Sequence, residues 1–156
     1  MDNQIVELLG RNRLVNGFLA AGIDLARPQR DRGVDLIAYA DLATESPRFR
    51  ARPIQMKASS GEQFSVDSKY QKISDLILAF VWHAGESEGP IFALPYPEAL
   101  RIGDAMGWTE TRSWLEGGKY TTSRPPGRLK EMLAPYRTTP ARWRELLFRE
   151  GDPGIE

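Results

Sequence analysis

The chain has 156 residues, 41% hydrophobic and 27% charged, with 21 Lys and Arg against 21 Asp and Glu. That length suits one compact α/β or α+β unit with a real core, and the balanced charge excludes a global basic field of the kind that holds nucleic acid non-specifically. With no Cys and one His, disulfides, thiolate metal sites and multi-histidine centres within one chain are excluded, so a metal would have to be held by oxygen, as Mg²⁺ and Mn²⁺ are.

The opening "MDNQIVELLGRNR" has no basic region followed by an apolar run, and no stretch approaches membrane-spanning length, so a cytoplasmic location is the expectation. Residues 3–21 read as a helix because Ile5, Leu8, Leu9, Val15, Phe18 and Leu19 recur at three- and four-residue spacings, with Gly22 as its stop. "IDLARP" is a candidate first strand. "GVDLIAYADLA" (33–43) and "FRARPIQMKAS" (49–59) read as antiparallel strands joined by the polar turn "TESPR", which requires Pro53 to sit at an edge or bulge. "SVDSKYQKIS" suggests a helical turn or short helix exposing Lys69 and Lys72. The continuous apolar run in "DLILAFVW" (75–82) predicts a strand covered on both faces.

After the loop "HAGESEG", which takes His83, "PIFALPY" predicts a fifth strand, and Pro97 opens a helix over roughly 98–106 that ends at Gly107. The segment 108–128 resists assignment. Helices are expected at about 126–134 and 140–149, the second with Thr139 as N-cap and Pro140 at its first position. Trp82, Trp108, Trp114 and Trp143 are expected to pack rather than to bind. The order predicts an α/β sandwich with a mixed sheet of about five strands and helices on each side. It forms one domain over 1–150, with a core at about 3–95, a helical extension at about 97–149 and a flexible tail at 151–156.

Alternation along the third strand places Gln55, Lys57 and Ser59 on one face and Ile54, Met56 and Ala58 on the other. An amphipathic strand with its polar face in water would explain that pattern alone. In "GVDLIAYA", however, Val34, Leu36 and Ala38 share one face while Asp35, a poor strand former, shares the other with Ile37 and Tyr39. A carboxylate one residue inside an apolar strand needs a cation, a metal or several hydrogen-bond donors. A structural Asp35–Lys57 ion pair is one answer. Another brings in Glu7, which borders the buried arc of the first helix: two carboxylates, the Gln55 amide oxygen and an ammonium converging on a divalent cation.

This arrangement, Glu7, then "GVDLIA", then "IQMKAS", then the apolar strand "LILAFVW", resembles the PD-(D/E)XK nuclease superfamily over roughly residues 3–95. Gln55 stands where most members carry glutamate, a Q-x-K version similar to that of Mrr-type restriction enzymes and transposase-associated endonucleases, and Gly33-Val34 stands where a proline is common. The resemblance implies a restriction endonuclease-like α/β/α fold and Mg²⁺- or Mn²⁺-dependent hydrolysis of DNA phosphodiester bonds, with Glu7, Asp35, Gln55 and Lys57 as the catalytic set. It further implies Glu7, Asp35, Gln55 and the Met56 backbone carbonyl as metal ligands. Arg30, Arg32, Ser59, Lys69 and Lys72 are candidate contacts to nucleic acid, and a homodimer or a partner protein is expected to select the target. The alternatives are a non-catalytic binding or regulatory module of the same fold, and an interaction protein in which Asp35 and Lys57 only pair with each other.

Overall fold

The computed structural model describes residues 1–40 and 49–148. The turn "TESPR", the end of the predicted second strand and the predicted tail lie outside them. Helix α1 spans Asn3–Ala20 and starts at Asp2, whose side chain accepts the Gln4 N–H at 2.8 Å. Strands β1 (Ile23–Ala26), β2 (Leu36–Ala40) and β3 (Ala51–Ala58) form an antiparallel meander. β5 (Ile77–Val81) then runs parallel to β3, and β6 (Ile91–Pro95) antiparallel to β5, giving a five-stranded mixed sheet in the order β1-β2-β3-β5-β6. The predicted α/β class and mixed five-stranded sheet are present.

Side-chain alternation divides the interior into two cores. Leu36, Ala38, Ile54, Met56, Ile77, Ala79 and Val81 face α1 and the last helix, α5 (Pro140–Phe148). Leu78, Phe80, Trp82, Phe92 and Leu94 face a second layer built from α2 (Tyr96–Ala105), a 3₁₀ turn at Trp108–Glu110 and α4 (Gly127–Leu133). Every residue of β5 is buried, as its uninterrupted apolar sequence requires of a strand covered on both sides. α1 turns Val6, Gly10, Leu14 and Phe18 to the sheet at four-residue spacing, and Phe18 meets Trp143 of α5 at a ring separation of 4.1 Å. Thr139 caps α5 as expected, its hydroxyl accepting the Arg142 N–H at 3.1 Å. Trp82, Trp108 and Trp143 are buried and Trp114 is partly so. No helix among the described residues is long and apolar enough to cross a membrane.

Three expectations need correction. Between β3 and β5 the chain forms β4 (Phe64–Asp67) before a 3₁₀ turn at Ser68–Lys72, where a helical turn alone is predicted. β4 pairs with β7 (Lys119–Thr122) in a second, two-stranded sheet, so the segment that resists assignment holds a strand and the short helix α3 (Arg112–Gly117). Second, Pro53 lies in a central strand, β3, in register with Ile37, and meets an open edge only locally. Its position is tolerated because backbone groups alternate along a strand: Ile54 and Met56 bond toward β2, so Pro53 faces the other side, where β5 begins only at Ile77, opposite Ile54. Third, Val34 does not share a core with Leu36 and Ala38; it precedes β2 and packs against the second core.

Candidate active site

β2 begins at Leu36, opposite Ile54, whereas β3 continues to Ala58. Beyond Ile54 the β2-facing edge of β3 therefore has no strand partner, and Asp35 takes the first open place. Its N–H donates to the Ile54 carbonyl at 2.8 Å, and its Oδ2 accepts the Met56 N–H at 2.8 Å. Asp35 thus stands just before β2, not inside it, and its side chain lies along the sheet edge. A carboxylate there finishes the ladder by supplying the acceptor that the missing strand would have carried. Because the N–H and C=O of one extended residue point the same way, the Met56 carbonyl also faces Asp35.

Burial pushes the Asp35 carboxyl above its ordinary range; the Met56 N–H opposes this, the charges of Asp31 and Glu7 add to it, and Lys57 works against it. The sign for stability follows. An acid whose folded pKa is raised stabilises the fold below its unfolded value, and that contribution is lost as pH rises through the raised folded value. In metal-free buffer, Asp35→Asn, which keeps an acceptor for Met56, is expected to be more stable than wild type at pH 7. The gap should close as pH falls below about 3.9, and thermal melts across that range check it. A gap that is absent at pH 7 or widens toward acid would contradict the assignment.

Gln55 and Lys57 project from the face opposite Met56, as alternation predicts. Gln55 is only 9% exposed; its Oε1 is buried without a hydrogen-bond partner, and its Nε2 lies 3.4 Å from the Met56 carbonyl oxygen. The Lys57 ammonium lies 5.1 Å from the centroid of the Tyr70 ring, which carries Lys69 at 5.0 Å as well. Among the described residues Lys57 forms no ion pair, so the structural Asp35–Lys57 pair is not made. Tyr70 is nearly buried, and burial raises its hydroxyl pKa.

Glu7 belongs to α1, which packs on the other face of the sheet, and its exposed carboxylate pairs with Arg11 at 2.8 Å. Its charge adds to the upward push on the Asp35 carboxyl, but no contact joins Glu7 to Asp35, Gln55 or Lys57 among the described residues. Among the described residues no three acidic or histidine side chains cluster as a metal site. A cation here would draw on amide and carbonyl oxygens beside Asp35.

Gln55 and Lys57 open into a cleft of ≈ 480 Å³ lined by two segments that meet where Gly33 packs on Tyr70 and Ile73: Asp31, Arg32 and Gly33, and Lys69, Tyr70 and Lys72. Gly33 has φ +88°, and a Cβ there would sit 3.1 Å from Ile73 Cδ1, so this wall needs glycine both for its backbone turn and for its closeness. Of the nucleic-acid candidates, Arg32, Lys69 and Lys72 line the cleft. Arg30 is exposed outside it, and the Ser59 hydroxyl donates to the Gly61 carbonyl at 2.8 Å. His83 is a loop residue with φ 51°, its Nε2 3.3 Å from Glu62.

Sequence reasoning missed Tyr70 and Asp31. Only the lysines flanking "KYQK" hint at the first, and nothing in the sequence marks the second. It also missed Arg13, whose guanidinium donates to the carbonyls of Trp82, His83 and Gly89 and whose pKa burial lowers. Comparison of the chain with protein-family models, with curated proteins and with solved structures gives no match.

Proposed function

We propose that the chain is a metal-dependent endonuclease that hydrolyses DNA phosphodiester bonds at a PD-(D/E)XK-like site. The observation that carries this reading is the Asp35 Oδ2 to Met56 N–H bond at the open edge of β3, which holds a carboxylate on the backbone of the residue between Gln55 and Lys57. The residues fit a hard cation once the Gln55 amide turns over: among the described residues its buried Oε1 and Asp35 Oδ1 have no partner, and its Nε2 now lies at the Met56 carbonyl oxygen. Asp35, Gln55 and the Met56 carbonyl would hold Mg²⁺ or Mn²⁺, with Glu7 joining directly or through water once released from Arg11. When bound, such a cation polarises a phosphoryl oxygen and lowers the pKa of a coordinated water. Lys57 supplies an ammonium to the charge that develops on the phosphate, and Asp35 fixes the edge of β3 from which Met56 and Gln55 act. A second copy or a partner protein is assigned the choice of target.

The test is cleavage of supercoiled plasmid and of branched DNA in Mn²⁺ by wild type beside Asp35→Asn. Cutting that disappears in the variant supports the reading, and a well-folded wild type that cuts neither substrate sinks it. Binding of Mn²⁺ to the folded state alone should stabilise the wild type by about 2.7 kcal/mol at a hundredfold excess over Kd. Thermal melts should show no such gain for Asp35→Ala. One specific feature favours a second reading, a non-catalytic module of the same fold: Gln55 removes a negative charge from the ligand set while Glu7 is engaged by Arg11.

A further inference from the structure

The walls of the cleft carry four cations, Arg32, Lys57, Lys69 and Lys72, against one carboxylate, Asp31. Arg32, Lys57 and Lys72 form no ion pair among the described residues, and Lys69 has only Asp67, at 3.6 Å. A chain with no net charge therefore gathers unpaired positive charge into one recess. Gln55, 91% buried, also lines it, and as an amide it adds no negative charge to the recess. A carboxylate in its place would repel a phosphate until a cation screened it; an amide does not.

The volume bears on the form of the ligand. At ≈ 480 Å³ the recess has the size of a small-molecule pocket, with Lys57 half-buried inside it and Arg32, Lys69 and Lys72 exposed around its mouth. A duplex can present only its outer backbone to the mouth of such a recess, whereas an unpaired strand can bend into it and set successive phosphates against both the inner lysine and the outer cations. We infer that this cleft captures the phosphate backbone of an unpaired nucleic-acid strand without any divalent cation, the cation being required for hydrolysis alone. The inference rests on the nuclease reading for its ligand class but not for its outcome.

The experiment is fluorescence anisotropy with a short single-stranded DNA and with the blunt duplex of the same sequence, in EDTA, over a series of salt concentrations. The single strand is expected to bind the wild type in EDTA and the duplex to bind at least tenfold more weakly. Lys69→Gln/Lys72→Gln should make the slope of log K against log salt shallower by about 1.4, at roughly 0.7 per lost phosphate contact. Lys119→Gln, on an exposed residue outside the cleft, should leave the slope unchanged. Circular dichroism melts establish that each variant is folded. No binding in EDTA, equal binding of duplex, or a slope unmoved by the double variant overturns the inference. Binding in EDTA without cutting in Mn²⁺ supports it and sinks the nuclease reading; cutting in Mn²⁺ without binding in EDTA does the reverse.

Discussion

Lys57→Ala is expected to lower Mn²⁺-dependent cleavage of supercoiled plasmid by about 10²–10³-fold, the usual loss when one preorganised group that stabilises developing charge is removed. The thermal midpoint should hardly move. Among the described residues Lys57 has no carboxylate partner whose loss would strand a buried charge, and its ammonium rests against Tyr70 rather than against Asp35. The cost should therefore fall on kcat and not on folding, which separates this residue from a structural lysine. Among the described residues Lys57 is also the cation that lowers the Asp35 pKa, so its removal pushes that carboxyl higher still. Cleavage by Lys57→Ala within a few fold of wild type, in protein of unchanged melting temperature, would remove the lysine from the mechanism.

Gly10→Val is expected to destabilise the protein by about 3 kcal/mol, the upper part of the range for overpacking a tight contact. For a chain of this size that lowers the thermal midpoint by about 6–12 °C, at roughly 2–4 °C per kcal/mol. Helix propensity argues the other way, because glycine inside a helix costs about 1 kcal/mol relative to alanine. Contact decides the sign. A Cβ at Gly10 would lie 2.5 Å from Ala58 Cβ, so α1 must lift from β3. The same movement would shift Glu7 and the edge of β3, so cleavage should fall with stability. Gly127, where a Cβ meets nothing within 4 Å, supplies the contrast: Gly127→Ala should be nearly neutral. Equal melting temperatures for Gly10→Val and wild type would show that the close approach of α1 to β3 does not constrain the fold.

Several elements were legible because their signals are local. The helix spacings of α1, the apolar run of β5, and the Thr139-Pro140 start of α5 each express a constraint satisfied within a few residues. The alternation of Ile54, Gln55, Met56 and Lys57 likewise assigned each side chain to its face before any tertiary contact was known. β4 and β7 were not legible in that way. Each has four residues, and their pairing joins segments distant in the chain. Asp35 was singled out for the right chemical reason, a carboxylate in apolar sequence, but was placed inside a strand that begins one residue later.

The class of fold, the two-sided burial of β5, and the presence of an acid, an amide and a lysine at fixed spacing are written in the order of the residues. What these groups do for one another depends on how the strands and layers pack. The offset between the start of β2 and the end of β3 opens a backbone edge that Asp35 fills, and it turns the Met56 carbonyl toward the same place. The packing of α1 on the opposite face leaves Glu7 paired with Arg11, and the 3₁₀ turn at Ser68–Lys72 brings Tyr70 against Lys57. Strand register and layer packing depend on contacts between residues far apart in the chain, so no short stretch of sequence carries them.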